Sequence, residues 1–512
     1  MSPDTGFPTA LDEATAARRF ASVGIEVRAV WRDLALKLAE RLKQRYGSKI
    51  HLYVRSPEEL RAFQKMNADG RWDSVSNNNV IPEAMRATGL NDADVIARAQ
   101  EFEKQTDTTI NLIACVHRHF GRGFSPGSFH YPRSRHYQAV SYIQMLHAHS
   151  ELLEFWRREI EGKGLTLLLQ GDKDAAIMAR AHGILYRRLD TTRYKNYWYW
   201  TPSEYYFNPA VEPAYHAMTS WPESDLGESY TLATAKKTWF ASDSLALTLR
   251  RTAMAALRYG YWKLRRYQKA DSYDFRAFVA FPMREHLAFR RMTGARTVRL
   301  GDLAGRRFAY FPLHKEPETS LQLMSPEHFN QHAAILSIAR DLPAGVLLAI
   351  KENMWSLGRR PTDFYEQVAD LKNVVFLDLR ENGIDCARQA DFTVTITGTA
   401  GFEAAVMGKP VVTFGRHNMY SVLPHVMTVT DERQIKGFVD RAIHGVDPEK
   451  ARSDGARFLA AALACSFDMK NFALNTRTQT ARLQDDAVEN AYAGLITSLA
   501  LPETNQVAAL AG

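Results

Sequence analysis

Between Asp391 and Gly415 the chain reads DFTVTITGTAGFEAAVMGKPVVTFG, and few architectures accept residues in that order. Phe392 to Ile396 alternates apolar and β-branched residues, the pattern of a buried strand. A turn of small residues, Thr397-Gly398-Thr399-Ala400-Gly401, follows at once. Phe402 to Met407 then reads as a short helix, Gly408 stops it, and Val411 to Phe414 is a second strand. A strand that breaks through glycines into a helix start offers unpaired backbone N–H groups and the positive end of a helix dipole. In an α/β sheet such a turn lies at the carboxyl end of the strand, where ligands collect, and it suits an anion. Glu403, in the first turn, is close enough to reach a ribose hydroxyl beside a phosphate held by the loop. The same pattern also fits an ordinary tight β–α turn, with Glu403 a surface residue favoured by the dipole.

The chain of 512 residues has room for roughly three domain-equivalents, so a large core and a cleft between domains are both within reach. The first residues, MSPDTGFPTALDEATAARR, contain acids and no apolar stretch, which is not the pattern of a signal peptide. No apolar run approaches the ~20 residues that span a bilayer. Cys115, Cys386 and Cys465 are odd in number and widely separated, so neither a disulfide framework nor a zinc site is expected. These features place the protein in the cytoplasm.

Charge is unevenly spread. From Lys236 to Arg299 there are 15 Lys or Arg against four acids, a net +11 in a chain whose total is +8. Aromatic residues interleave with the bases, as in Arg258-Tyr259-Gly260-Tyr261-Trp262-Lys263-Leu264-Arg265-Arg266-Tyr267. Such a helix suits an anionic membrane surface, with its rings at headgroup level, or a polyanion. It also suits a solvated face whose aromatics pack on a neighbouring domain. No recognisable nucleic-acid module accompanies it, so no nucleic-acid partner is expected.

Strands alternate with helices along most of the chain. A helix from about Asp12 to Tyr46 precedes strands at Ile50–Arg55, Thr109–Val116, Leu165–Gln170 and Ile184–Leu189, with a helix at Ala175–Ala181. A second series runs Phe308–Leu313, Val346–Lys351, Val374–Leu377, Phe392–Ile396 and Val411–Phe414. Helices at Pro326–Arg340, Thr362–Leu371 and Asn382–Ala390 separate its strands. This alternation predicts βαβ units around parallel sheets. The expected architecture is α/β, with two Rossmann-like domains facing a cleft and a basic helical insertion between them. The domain bounds are 1–210 for the first Rossmann-like domain, 211–300 for the insertion and 301–480 for the second Rossmann-like domain. A C-terminal helix and tail occupy 481–512.

Three residues are candidates for catalysis. His314 ends a strand at the sheet edge where the glycine loop should lie, so it could serve as acid, base or phosphate ligand, or be a structural hydrogen-bonder. His117 belongs to a histidine-, arginine- and glycine-rich loop with Arg118, His119 and Arg122, suited to an anionic ligand. Asp172, in Asp172-Lys173-Asp174, could be a catalytic carboxylate; the plainer reading is that these acids cap the helix from Ala175 onward. No metal site is expected.

The second half resembles the capsule-polysaccharide biosynthesis family. The matching residues are Tyr310-Phe311-Pro312-Leu313-His314, Lys351-Glu352, Gly358-Arg359-Arg360-Pro361 with Phe364-Tyr365, and Thr397 to Gly415. The resemblance implies a GT-B-type glycosyltransferase that moves a sugar from a CMP- or UDP-linked donor to a capsular or lipopolysaccharide-type acceptor. Relatives include retaining transferases of the 3-deoxy-sugar Kdo. The glycine loop is also similar to that of UDP-N-acetylglucosamine 2-epimerases of the same fold. By this resemblance Thr397, Gly398, Thr399, Ala400, Gly401 and Glu403 hold the nucleotide, with Lys351, Glu352, Asn353 and Arg359 beside them. Where relatives have His-Pro after Lys-Glu, this chain has Asn353-Met354, which cannot carry charge to a phosphate. That departure leaves room for a non-catalytic component of capsule assembly or export, and the similarity of the loop leaves room for an epimerase. The partners implied are a nucleotide-sugar co-substrate and a polysaccharide or lipid-linked acceptor, with no further cofactor and with peripheral contact at the inner membrane.

Overall fold

The computed structural model describes residues 11–28, 31–116, 140–205, 207–222, 244–265, 275–315, 319–328, 330–360, 363–470, 472 and 483–500. They form two compact units. One holds the described residues up to 114, those of 140–217 and those from 462 onward; the other holds Cys115, Val116 and the described residues of 218–461.

The first unit is built on strands β1 (Ser22–Glu26), β2 (Lys49–Val54), β3 (Ser74–Asn77), β4 (Leu167–Leu169), β5 (Leu185–Thr191) and β6 (Tyr197–Thr201). Their order is β3-β2-β1-β4-β5, all parallel, with β6 antiparallel on β5. This is the strand order of a Rossmann half, and the order reverses between β1 and β4. The central strand β1 is absent from the sequence-based expectation, which ran a single helix through it. Helices occupy Glu13–Arg19 and Arg32–Tyr46, and every residue of the strand between them is buried. A run with no exposed face lacks the alternation by which strands are recognised.

The segment from Thr109 to Val116, expected as a strand, is helical over Ile110–Val116. Thr109 starts it: its hydroxyl accepts from the Leu112 N–H at 3.1 Å, as an N-cap does. His117, Arg118, His119 and Arg122 lie outside the described residues.

The described residues from 462 to 500 belong to this first unit. Strand β13 (Phe467–Asp468) pairs antiparallel with β6, and the helix Asp485–Ala500 packs on the same sheet. The Trp200 indole N–H donates to Ala491 O at 2.8 Å, and Arg187, fully buried, donates to Ser498 O at 3.0 Å. A cavity of about 390 Å³ opens here, lined by Trp200, Asn208, Cys465 and Ser498 among others, at the antiparallel margin of the sheet.

The second unit repeats the plan. Strands β7 (Arg307–Pro312), β8 (Val346–Lys351), β9 (Val374–Phe376), β10 (Phe392–Thr395), β11 (Val411–Thr413) and β12 (Val426–Thr428) form one parallel sheet. Their order is β12-β11-β10-β7-β8-β9, again reversing between the first strand of the unit and its fourth. Five of the six are the strands expected from the sequence; β12 is additional. Phe311, Ile350, Phe392, Val394 and Val412 fill the core beneath the flanking helices.

The basic insertion belongs to this unit as two packed helices, Leu245–Leu264 and Phe275–Arg291. The second is seated on the domain: Phe289 and Met292 enter the core, and Gly358 meets the Glu285 backbone so closely that a Cβ would lie 2.6 Å from its nitrogen.

Candidate functional site

In a parallel sheet the crevice opens where strand order reverses, at the carboxyl ends of the two strands flanking that point. In the second unit these are β7 and β10. The chain leaves β7 into His314 and leaves β10 into the Thr397–Gly401 turn, so the topology brings together two features that the sequence shows 83 positions apart.

The imidazole Nε2 of His314 accepts from the Thr397 backbone N–H at 3.0 Å. Its Nδ1 faces the Gln331 Oε1 at 3.3 Å, and Gln331 also closes a pair of bonds with the His314 backbone, 2.7 and 3.1 Å long. With Nε2 an acceptor, Nδ1 carries the proton. Both ring nitrogens are engaged in shaping the turn, so this geometry gives His314 a positioning role and no free nitrogen for acid–base work.

The turn spends some of its donors on itself. The Gly398 N–H donates to Thr395 Oγ1 at 3.0 Å and the Gly401 N–H to Gly398 O at 3.2 Å. The helix that follows spans Thr399–Val406 with Gly398 as its N-cap residue. The N–H groups of Thr399 and Ala400 are what this leaves for a ligand at the helix start, a narrower set than Gly398 to Gly401. Both glycines are fixed by close approach. A Cβ on Gly398 would stand 2.9 Å from Thr395 Oγ1 and 3.1 Å from His314 Nε2; one on Gly401 would stand 2.4 Å from the Tyr420 hydroxyl oxygen. Glu403 is buried, which removes the surface-residue reading. It lies close enough to Tyr310 for its charge to add to burial, the main cause, and to Cys386 in holding that phenol protonated.

The end of β8 behaves differently from expectation. Glu352, a candidate for nucleotide contact, is buried and fully spoken for. Arg360 Nε reaches one of its oxygens at 2.5 Å and Nη2 the other at 2.9 Å, and the Tyr365 hydroxyl donates to it at 2.5 Å. Arg360 also donates to His314 O at 2.6 Å. The pair is a buried tie between β8, the β7 end and the helix Phe364–Ala369, and it gives Arg360 no part as a phosphate clamp. Arg359 lies with its guanidinium carbon 5.1 Å from the Phe281 ring centre, turned to the insertion helix. Asn353 accepts from the Trp355 N–H at 2.9 Å and so caps the short turn Met354–Ser356. Lys351 is half-buried; burial lowers its pKa, while Cys386 and the carboxylates of Glu352, Glu381 and Asp378 oppose that drop. Of the cations at this edge read from the sequence, Lys351 is the one the geometry leaves for a phosphate. Thr395, Gln331 and Tyr420, which shape the turn, carried no motif that would have singled them out.

The first unit has its own switch point, between β1 and β4, and charge gathers there. Chain direction changes after β4 through Gln170 and Gly171, at φ of +63° and +112°. That strained pair delivers Asp172 to the strand edge. Asp172 makes no helix-capping bond, contrary to the plainer expectation. Its oxygens take Arg28 Nη2, at 2.7 Å, and Arg55 Nη2. Beneath it Glu26, at the end of β1, accepts Nε of Arg28 and of Arg55, each at 2.7 Å, and the Asn78 amide at 3.1 Å. Burial pushes both carboxyl groups up, but the two guanidinium groups outweigh it and hold both below the usual range, Asp172 well below. Asp172 is thus a permanent anion and a poor base. The neighbouring Asp174 is the opposite case: burial, then the charges of Asp172 and Glu26, push it up to about 7, although it accepts from the Trp156 indole at 2.7 Å. A carboxyl group that titrates near neutrality is suited to proton transfer. Arg28 and Arg55 were missed because Asp172 lies 144 and 117 positions away in sequence, and Asp174 was read only as a helix cap. Among the described residues no cluster of three metal-ligating side chains occurs.

Residues 290–444, which include every strand of the second unit, match the family model "Capsule polysaccharide biosynthesis protein", in agreement with the resemblance of the motifs. Comparison with curated proteins returns no similar sequence. Among solved structures the chain is similar to the KpsC beta Kdo 2,7 transferase of Thermosulfurimonas dismutans, at 15% identity over 68% of this chain and 89% of that one, with a TM-score of 0.29. It is also similar to a UDP-GlcNAc 2-epimerase from Neisseria meningitidis bound to UDP-GlcNAc, at 10% identity over 86% of this chain and 97% of that one, with a TM-score of 0.28.

Proposed function

We propose that this chain, whose residues 290–444 are of the capsule polysaccharide biosynthesis family, is a glycosyltransferase that takes a sugar from a CMP- or UDP-linked donor for a surface polysaccharide. The observation that supports it best is the turn and helix start at the switch point of the second unit, which lie within the matched residues and suit an anion. The donor phosphate would rest on the N–H groups of Thr399 and Ala400, with Lys351 neutralising the charge that develops as the sugar leaves. Thr397, Gly398 and Gly401 would shape the loop, and Glu403 would take a ribose hydroxyl. Taken by itself, the first unit offers Arg28 and Arg55 beside two carboxylates and, in Asp174, a carboxyl group suited to proton transfer. In this reading fixed cations and backbone dipoles, and no metal ion, stabilise the leaving group, and the enzyme works on the cytoplasmic side of the inner membrane.

A second reading has one specific observation in its favour. The residue at the expected histidine position, Asn353, is used as a turn cap, which suits a capsule assembly component that binds a nucleotide without turning it over. Calorimetric titration of CMP and UDP, followed by a donor–acceptor screen with the nucleotide that binds, separates the two. Binding with transfer supports the enzyme; binding without transfer to any acceptor supports the second reading; no binding of either nucleotide overturns both.

A further inference from the structure

We infer that the helix Leu245–Leu264 is a membrane-surface anchor that lies in the headgroup layer of an anionic bilayer. Six of its large apolar side chains, Leu245, Leu249, Met254, Leu257, Tyr261 and Leu264, are between 52 and 83% exposed. At about 3.6 residues per turn they fall within roughly half of the helix circumference, with Ala253 and Gly260 between them. Its other side is occupied: Thr248 is buried, and Arg251 is paired at 2.7 Å with Glu285 of the neighbouring helix. That neighbour is the one seated on the domain, so the apolar face is the outermost layer of the second unit's insertion.

An exposed aliphatic stripe of this length is unusual on a soluble surface and marks a contact. Charge selects the occupant. The helix and its C-cap residue carry Arg250, Arg251, Arg258, Lys263 and Arg265 and no acid. Arg250, Arg258 and Arg265 are exposed and border or interrupt the apolar stripe on one side, where an immersed helix needs cations to meet lipid phosphates. Tyr261 stands at that border, at the depth where aromatic rings settle. A nucleic acid has no counterpart for four exposed leucines, and a second copy of the helix would set its cations against like charge. Among the described residues no helix is long and apolar enough to cross a membrane, so this one would lie along the surface.

Flotation of the full-length protein with vesicles tests the inference without any sugar donor, so it stands or falls apart from the transferase reading. The vesicles are phosphatidylcholine alone, or a 70:30 mixture with phosphatidylglycerol, in 0.15 M salt. The wild type should float with the mixed vesicles and remain in solution with the neutral ones. Leu257→Asp with Leu264→Asp should weaken the partition about tenfold or more, and Arg250, Arg258 and Arg265→Glu together about a hundredfold. All these side chains are exposed, so thermal melting should be unchanged, which separates lost binding from lost folding. Three outcomes overturn the inference: no partition of the wild type; partition that the leucine variant leaves intact; or a wild-type dimer in sedimentation velocity that the leucine variant dissociates, with no vesicle binding, which would make the face a self-interface.

Discussion

The Nε2 of His314 accepts the backbone N–H of Thr397 at 3.0 Å and so ties the ends of β7 and β10 together. A histidine that spends both nitrogens on its own fold is a brace. Replacing it by alanine strands the Thr397 donor in a buried place, at a cost of about 1–3 kcal/mol, while Gln331 keeps its two bonds to the backbone of residue 314. Urea unfolding should show that loss, together with roughly tenfold weaker nucleotide binding. A loss below about 0.5 kcal/mol would mean that the turn holds its shape without the brace.

Thr399→Pro removes one proposed phosphate donor with little disturbance. Thr399 is the first residue of its helix, where proline is welcome, and the preceding Gly398 has φ −78° and ψ 154°, which a following proline tolerates. Far-ultraviolet circular dichroism should be unaltered while calorimetry shows a 10- to 100-fold rise in Kd for the nucleotide. Unchanged affinity would move the phosphate away from this helix.

Glu26 and Asp172 share the same two arginines but differ in depth: Glu26 is 1% exposed and Asp172 is half-buried. Glu26→Gln removes the buried charge that two half-buried guanidinium groups share and should cost about 2–3 kcal/mol; Asp172→Asn should cost about 1 kcal/mol. Denaturant midpoints decide, and a reversed ranking would place the centre of the network at Asp172.

Asp174 gives the protein a pH signature. Its carboxyl group sits near 7 in the fold against an ordinary value of 3.8, so the native state holds a proton that the unfolded chain has released between those values. Its penalty is therefore absent below about pH 4, grows toward pH 7, and is complete above. Asp174→Asn keeps an acceptor for Trp156 and removes the penalty. The variant should be more stable than the wild type by about 1–2 kcal/mol at pH 8, and the gap should close near pH 4. Melting curves across that range check it; a gap independent of pH would rule out the titration.

The second unit was legible because its strands are apolar or β-branched runs bounded by polar and turn residues, and its turns carry glycine where backbone and side chains crowd, as at Gly398 and Gly401. The first unit was less so. Strand β1 is short and buried on both faces, and the apolar run after Thr109 looks like a strand until the threonine cap is seen. The glycine loop could be found as an anion site, yet which of its N–H groups are spent depends on His314 and Thr395, and no spacing rule reveals that. Asp172 was found for the wrong partner, because Arg28 lies 144 positions away and Arg55 lies 117.

The return of the chain to the first unit also sets an order of events. β6 cannot gain its outer neighbour, nor Trp200 and Arg187 their carbonyl partners, until Phe467 to Ser498 has left the ribosome. By then the whole parallel sheet of the second unit has been made. The unit that begins first is the one that finishes last, and during that interval its aromatic strand Tyr197–Thr201 stands at an open sheet edge.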